Sequence, residues 1–253
     1  MPIRRCVIAT GCLIAALFVV FGAGGLTGAR AAGSGSATIC AAVTLLEGAS
    51  TVALPPLGQQ PLTEGETLRD GSILQTKGSS RVELTLADDS VVRIGADSSV
   101  ELAVDIRNGE KHTRQFQVKL LKGEMWVTLP GLPEGDPPLQ VLVAGALLVG
   151  NESAFRVVLF PSGAAEMKVY SGYVTASGPF VFPREDARFL LQSGEDGETP
   201  GPEPWRYRIE PYMKVIVQAS GEETKPFRFT ARADLSDWVK WNQSRDAEVK
   251  RPE

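Results

Sequence analysis

The sequence predicts an all-β protein of many short, mainly antiparallel strands, with one short helix at its C-terminal end. Apolar and polar residues alternate with a period of two through most of the chain, and this is the pattern of half-buried strands. Clusters of glycine, proline, asparagine and aspartate interrupt the alternation at the close spacing that is typical of all-β domains. The strands are expected to form either a β-sandwich or a β-solenoid-like roll.

The clearest part of this pattern lies in residues 68–102. Alternation recurs at residues 81–86, 91–94 and 100–106, and Asp88-Asp89-Ser90 separates the first two of these segments. We therefore predict a meander of three short strands, joined by turn residues at the places where the backbone must bend.

Other predicted strands flank this meander on both sides. They lie at residues 41–46, 50–54, 113–120, 123–129, 139–149, 155–160, 166–170, 173–176, 180–182, 209–217 and 227–230. The nearly continuous apolar run at 139–149 predicts a strand that is buried on both faces. Near the end, Asp234 is the expected N-cap of a helix that places Leu235, Trp238 and Trp241 on one face.

The first 31 residues have the features of a targeting segment. Arg4 and Arg5 precede an apolar run at residues 7–26, and Ala29-Arg30-Ala31 provides a small-x-small cleavage site. We expect a cleaved signal peptide; an uncleaved membrane anchor is the alternative, because about 20 apolar residues also span a bilayer. In both cases the positive-inside rule predicts a periplasmic or secreted protein, or an inner-membrane anchor with the main domain outside the cytoplasm.

Five segments follow from these patterns. They are a signal peptide or N-terminal anchor at 1–31, a flexible lead-in at 32–40, a β domain at 41–182, a loop or linker at 183–205, and C-terminal strands with a short helix at 206–253.

The charge and the cysteine content limit the possible partners and the possible covalent modifications of the chain. Cleavage after residue 31 leaves 23 basic and 30 acidic residues, a formal charge of −7, so nucleic acid is not an expected partner. Only Cys40 remains in the cleaved form, which excludes an intramolecular disulfide. Neither Cys12 nor Cys40 has the sequence context of a lipid-anchored cysteine.

The sequence contains no recognisable catalytic or metal-binding constellation. His112, the single histidine, is expected to be an exposed hairpin residue, since thiols that would join it at a metal are almost absent. Ser153 lacks the Gly-x-Ser-x-Gly setting of a hydrolase nucleophile. The acidic segment 195–198 lacks the spacing of a calcium loop. We therefore predict no catalytic residue, no metal ligand and no cofactor.

The tryptophans are candidates for a carbohydrate or peptide platform. Trp126 alternates out of phase with Met125 and Val127, and it is therefore expected to face the opposite side of its strand. Trp238 and Trp241 are expected to pack the terminal helix against the sheet.

Several motifs together resemble the FecR domain family over about residues 41–177. They are Gly65-Glu-x-Leu68-x-x-Gly71, Gly78-Ser-Ser-Arg-Val-Glu-Leu, Ile94-Gly95, Leu120-x-x-Gly123-x-Met-Trp126-Val, Val169-x-Ser-Gly172-x-Val174 and the tail Trp238-x-x-Trp241-x-x-x-Arg245-Asp246. The resemblance implies a periplasmic bacterial domain. The regulator that gives the family its name also has a cytoplasmic anti-sigma region. With five residues before Cys6, this chain is expected to match only the periplasmic module, as a stand-alone member.

Two departures from the family pattern involve acidic residues. The Asp-Gly-Ser turn of the family is Asp88-Asp89-Ser90 here, which puts an acid at a turn position that usually lacks a Cβ. Where many members have Arg-Gly-Thr-x-Phe, this chain has Asn151-Glu152-Ser153-Ala154-Phe155. Function is expected in the loops at 130–138 and 151–155. The candidate binding residues are Trp126, Glu152, Ser153 and Phe155.

Two classes of function remain open from the sequence. The first is a non-enzymatic β domain that binds another envelope component, an unidentified protein or glycan, in sensing or signalling, with strand addition at its edges as one mode. A module that signals to a transporter would differ from it only in the partner. The alternative is an envelope enzyme that acts on glycan or peptide through acids such as Glu152.

Overall fold

The computed structural model describes residues 38–54, 58–108, 112–179 and 204–249. Within these ranges the chain forms fifteen strands, all in one hydrogen-bonded sheet, and one α-helix. The strands are β1 (Ile39–Glu47), β2 (Ser50–Ala53), β3 (Gln59–Pro61), β4 (Thr67–Arg69), β5 (Ile73–Thr76), β6 (Arg81–Leu86), β7 (Val91–Ile94), β8 (Ser99–Asn108), β9 (His112–Thr128), β10 (Gln140–Val143), β11 (Ala146–Leu159), β12 (Ala165–Gly178), β13 (Trp205–Ile209), β14 (Met213–Val217) and β15 (Phe227–Arg228), and the helix is α1 (Asp237–Val249). The predicted all-β class, the mainly antiparallel pairing and the C-terminal helix are confirmed.

Some predicted segments lie outside the described residues. They are the targeting segment at 1–31, most of the lead-in at 32–40, the strand at 180–182 and nearly all of the linker at 183–205. In the part of the chain that the structure describes, no helix combines the length and the apolar character needed to cross a bilayer.

Strand β9 is the centre of the sheet because it pairs with four other strands. Its first half lies between antiparallel β8 and parallel β10, and its second half lies between antiparallel β7 and β11. Gly123 marks the change of partners, with a φ of 84°. A Cβ at this position would lie 2.2 Å from Oγ and 2.7 Å from Cα of Ser98, so only glycine fits here.

The two faces of the sheet differ in chemistry. One face forms the main core, to which six strands each contribute two buried side chains: Val82 and Leu84, Val92 and Ile94, Met125 and Val127, Phe155 and Val157, Met167 and Val169, and Val215 and Val217. The opposite face carries a mostly charged row in which each residue is paired in register with the next: Glu83, Arg93, Trp126, Arg156, Lys168 and Lys214. This row needs a polar cover, and α1 provides much of it.

Helix α1 begins after Ser236, whose Oγ accepts a 3.3 Å hydrogen bond from the backbone N–H of Val239. Trp238 and Val239 are buried with Trp126 and Tyr170 in a second apolar cluster. A helix of 13 residues is marginal in isolation, so this packing is what stabilises it.

The predicted N-cap, Asp234, is wrong. Asp234 ends a short 3-10 helix at Ala231–Asp234, and its carboxylate accepts hydrogen bonds from Lys168 and Tyr170. These contacts connect the segment before α1 to the face of β12, so the acid holds the chain to the sheet instead of starting the helix.

The single strand predicted at 139–149 is also wrong. The structure has a hairpin of β10 and β11, with Val143 paired to Ala146 across a two-residue turn. Ala144 and Gly145 both have positive φ, 46° and 74°, as the tight turn requires. Alanine at the first turn position kept the apolar run unbroken and concealed the turn.

Other strand boundaries differ for related reasons. The segments predicted at 113–120 and 123–129 are one strand, β9, since the register shift at Leu121 does not interrupt the pairing with its neighbours. Conversely, the strand predicted at 209–217 divides into β13 and β14 at a turn where Tyr212 has a φ of 61°.

Candidate functional site

Arg93, on the charged face of β7, has a fully buried side chain. Its Nε donates a 2.7 Å hydrogen bond to Oε2 of Glu83, and its Nη1 donates a 2.6 Å bond to Oδ1 of Asp246 in α1. Its Nη2 has no hydrogen-bond partner among the described residues. A buried donor without a partner is unfavourable, which makes this nitrogen a ready point of attachment for a ligand acceptor.

Helix α1 completes the surroundings of Arg93. Asp246 also accepts hydrogen bonds from Nε1 of Trp126, at 3.0 Å, and from Oγ1 of Thr128, at 2.8 Å. Arg245 donates a 3.0 Å bond to Glu83. At the contact between the sheet and α1, which we call the joint, two arginines therefore alternate with two carboxylates, and their formal charges cancel. The four residues of the joint are Arg245, Glu83, Arg93 and Asp246.

The environment of Glu83 shifts its pKa. Burial alone would raise the pKa of this carboxyl, but hydrogen bonds from Arg93 and Arg245, together with their charges, outweigh burial and hold the pKa below its usual value. In turn, the hydrogen bond to Glu83 raises the pKa of Arg245 despite partial burial. Glu83 therefore stays ionised, and the joint keeps its paired charges, at neutral pH.

A cavity of about 260 Å³ opens beside this joint. Its wall includes Arg93 and Asp246, together with Gly131 of the segment between β9 and β10 and Ser153 at a bulge within β11. Ser153 is 2% exposed, and its Oγ has no hydrogen-bond partner among the described residues. Two lining residues of the cavity thus each carry a buried polar atom without a partner among the described residues, the guanidinium Nη2 of Arg93 and the hydroxyl of Ser153.

Two acidic residues, Asp89 and Glu152, also line this cavity, and both have left-handed backbones. The φ of Asp89 is 61° and that of Glu152 is 47°. These are the two positions at which the chain has an acid in place of the glycine of the family pattern. A left-handed φ costs a residue with a Cβ about 1–2 kcal/mol, so the carboxylates come at a conformational cost.

An open groove continues from the cavity along the loop after β9. It has a volume of about 610 Å³, and it shares Asp89, Pro130 and Gly131 with the cavity. Its other charged residues are Asp88, Asp136 and Arg114. The two segments in which function was predicted, 130–138 and 151–155, therefore meet at one place, where acids outnumber bases. The second segment is a bulge within β11 and not a loop as predicted.

The structure separates the four predicted binding residues into two pairs. Glu152 and Ser153 line the cavity. Trp126 is 1% exposed, packs against Tyr170 with ring centroids 4.4 Å apart and reaches the site only through its hydrogen bond to Asp246. Phe155 is buried in the main core. That any of them binds a ligand stays a prediction.

Sequence reasoning missed Arg93, Asp89 and Asp246 as members of a site. Arg93 follows the alternation of its strand, a pattern that does not distinguish an exposed polar residue from one that a helix covers, and α1 buries it. The available signal was the tail motif Arg245-Asp246, a pair of opposite charges on a helix expected to pack on the sheet.

A second ion network holds the other end of the charged row. Asp234 contacts Lys168 at 2.8 Å and Arg156 at 3.5 Å, and Glu166 contacts Lys168 at 2.8 Å and Lys214 at 2.7 Å. Burial would raise the pKa values of Asp234 and Glu166, but their hydrogen bonds and cationic neighbours lower both. This network supports the segment before α1 and so helps to position the helix.

Two further kinds of chemistry, metal binding and thiol reactivity, depend on particular side chains of the described ranges, in which Cys40 is the one cysteine. These ranges contain no group of three or more histidine, cysteine, aspartate or glutamate side chains placed to hold a metal ion. Cys40 is buried, and burial, with a smaller effect of Asp70, raises the pKa of its thiol to about 12. The thiol is therefore protonated at neutral pH and is a poor nucleophile.

Two solved structures match part of this chain. Two crystal structures of a candidate anti-sigma factor from Parabacteroides distasonis ATCC 8503, at 2.50 and 1.65 Å resolution, are each 15% identical to this chain, with a TM-score of 0.42. The alignments cover 63% of this chain and 61% of theirs, so the chain spans less than two thirds of those neighbours. No curated protein matches the chain.

The family model described as "FecR protein" matches residues 72–175. This range includes β6, β7 and β8, Arg93 and both acids at the cavity, whereas Asp246 lies beyond it. The resemblance inferred from the motifs is thereby confirmed over residues 72–175, the part of the chain that this family model matches.

Proposed function

We propose that this protein is a non-enzymatic binding module of the cell envelope, which takes part in sensing or signalling by holding another envelope component at the cavity beside Arg93. The FecR domain supports the general role, because the family is regulatory. The targeting segment predicted at residues 1–31 supports a site of action outside the cytoplasm.

The observation that carries this proposal is the unpartnered Nη2 of Arg93. The guanidinium is held rigidly by Glu83 and Asp246, so a ligand acceptor at Nη2 requires little further ordering of the protein. Since the nitrogen is buried beside a cavity, such a ligand also removes an unsatisfied donor.

The same residues connect the cavity to the C-terminal helix. Asp246 is part of the cavity wall and is also the partner that joins α1 to Arg93. A ligand that contacts Arg93 therefore changes the environment of a residue that positions α1. This shared residue is a physical route by which occupancy is communicated to another part of the molecule.

Site-specific photo-crosslinking in the envelope tests the proposal. A photoreactive amino acid at the exposed position 152 is expected to capture an envelope component, whereas the same residue at exposed Lys77, remote from the cavity, is not. Gly131→Trp should abolish capture by filling the cavity, since Gly131 lines it and a Cβ there has open space. Gly78→Trp, at another glycine with open space, is the matched control and should leave capture unchanged.

Equal capture by the Gly131→Trp and Gly78→Trp proteins, or by positions 152 and 77, would show that the cavity is not the binding site. Thermal unfolding of both tryptophan variants verifies that they are folded.

An envelope enzyme is the second candidate, and one observation favours it. Asp89 and Glu152 both line the cavity, and a pair of carboxylates is the minimal equipment for glycoside hydrolysis. Release of reducing ends from a purified envelope glycan, abolished by Glu152→Gln, would support the enzyme. Absence of turnover by the unmodified protein would leave the binding function.

A further inference from the structure

We propose that the cavity binds an extended peptide segment that contains lysine or arginine. One main-chain carbonyl of the peptide accepts the hydrogen bond that Arg93 has available, and a neighbouring basic side chain pairs with Asp89 and Glu152. This inference rests on the proposed function and adds the chemical class of the ligand.

The chemistry of Arg93 favours a neutral acceptor. Its guanidinium already has two carboxylate partners, Glu83 and Asp246, so its positive charge is compensated before any ligand arrives. An anionic ligand at Nη2 would be a third carboxylate or phosphate on one cation. A peptide carbonyl needs only the hydrogen bond, and the buried hydroxyl of Ser153 supplies a second donor or acceptor nearby.

The remaining charges favour a cation beside that carbonyl. With Arg93 and Asp246 paired to each other, the carboxylates of Asp89 and Glu152 are left at the cavity without a further basic residue among its lining. Such an excess of one sign attracts the opposite charge and raises its local concentration. A lysine or arginine side chain meets this requirement.

The shape of the site favours a chain over a free amine or a metal ion. The groove along Pro130 and Gly131 continues from the cavity, so a segment anchored at Arg93 has a path beyond it. Asp88 and Asp136 also line that groove, together with Arg114. Within the described ranges no cluster of three metal-ligating side chains is present, which argues against a divalent cation.

Fluorescence anisotropy with labelled synthetic peptides tests this inference. The probe is an N-acetylated, C-amidated peptide of about six residues, with two lysines among glycine and alanine. Matched peptides carry acetyl-lysine or glutamate in place of lysine. The lysine peptide is expected to bind at least about tenfold more tightly than either, and its affinity is expected to fall with added salt.

Two pairs of variants locate the binding. Asp89→Asn/Glu152→Gln should weaken the lysine peptide about tenfold, as expected for the loss of two partly exposed ion pairs, whereas Asp97→Asn/Glu222→Gln removes the same charge elsewhere and should have no effect. Gly131→Trp should abolish binding, and Gly78→Trp should not.

Equal binding of the lysine and acetyl-lysine peptides would overturn the cation requirement. Unchanged binding to Gly131→Trp would overturn the location. If crosslinking from position 152 captures a component but no basic peptide binds, this inference fails and the proposed function stands. If neither experiment detects an occupant, both fail.

Discussion

Arg93 of β7 and Asp246 of α1 are joined by a 2.6 Å hydrogen bond across 153 positions of sequence, and the arginine side chain is fully buried. Asp246 is also the acceptor for Trp126 and Thr128, so one carboxylate connects the helix to two strands. The contact closes one wall of the cavity and holds α1 on the sheet.

Asp246→Ala should therefore destabilise the protein strongly. Its removal leaves Arg93 with one carboxylate instead of two and leaves Trp126 without its acceptor, and breaking a buried ion pair in this way costs about 3 kcal/mol. Glu248→Ala is the control on the same helix, because its exposed pair with Arg245 is worth less than about 1 kcal/mol. Urea unfolding measures both free energies, and similar losses for the two variants would contradict a special role for Asp246.

Acid should weaken the fold through three carboxylates whose pKa values are lowered: Glu83, Glu166 and Asp234. In the unfolded chain these groups return to their ordinary values, 4.5 for glutamate and 3.8 for aspartate. As the pH falls below those values the unfolded state takes up protons first, so the stability that is present at neutral pH is lost progressively towards the lower folded-state pKa values.

The measurement is the free energy of unfolding between neutral pH and about pH 3, for the unmodified protein and for Glu166→Gln. The variant is expected to be less stable at neutral pH, because its pairs with Lys168 and Lys214 are lost, and to lose less stability on acidification. A free energy of unfolding that does not change below about pH 5, or that falls equally steeply for both proteins, would contradict this prediction.

Gly123→Ala should disrupt the point at which β9 changes partners. The new Cβ would overlap Ser98, with a separation of 2.7 Å from its Cα, and the backbone must also keep a φ of 84°. Gly135→Ala is a matched control, since its φ is 93° but a Cβ there would have no atom within 4 Å. Gly123→Ala is expected to cost about 1–3 kcal/mol more than Gly135→Ala in chemical unfolding. Equal costs would mean that Ser98 moves aside freely.

Much of the fold was predictable because alternation and turn residues are local signals. The three strands predicted within 81–106 are present as β6, β7 and β8, because alternating side chains point to opposite faces of one strand and the sequence displays this directly. The predicted meander is wrong: β7 pairs with β6 and β9, whereas β8 pairs with β5 and β9. The hairpin of β10 and β11 was missed because its Ala144-Gly145 turn interrupts an apolar run without a polar residue. A local pattern cannot distinguish one long strand from two when the turn itself is apolar.

The site was predictable only in part, for a different reason. Glu152 and Ser153 were identified through a departure from the family pattern, and the structure places both at the cavity. Arg93 and Asp246 meet only because α1 packs on the sheet, and no periodicity within either segment encodes that contact. Tertiary packing also decides burial: Trp126 lies on the face opposite Met125 and Val127, as predicted, and α1 buries it there.

The left-handed backbone at Glu152 leads to a prediction in which stability and binding move in opposite directions. Glu152→Gly should raise the free energy of unfolding by about 0.5–1 kcal/mol, because glycine relieves a φ of 47° at some cost in the entropy of folding. Glu152→Ala removes the same carboxylate but keeps the Cβ, so it should leave stability nearly unchanged. Both variants should weaken the lysine peptide to the same extent, since both lose the charge at the cavity.

Chemical unfolding and peptide anisotropy on the same three proteins decide this prediction. The prediction is confirmed if Glu152→Gly raises the free energy of unfolding and Glu152→Ala does not, while both lose the same affinity for the peptide. The carboxylate of Glu152 then contributes to binding, whereas its left-handed backbone destabilises the fold. Unchanged affinity in both variants would remove Glu152 from the binding site. A glycine variant no more stable than the alanine variant would show that the left-handed backbone at position 152 costs the fold nothing.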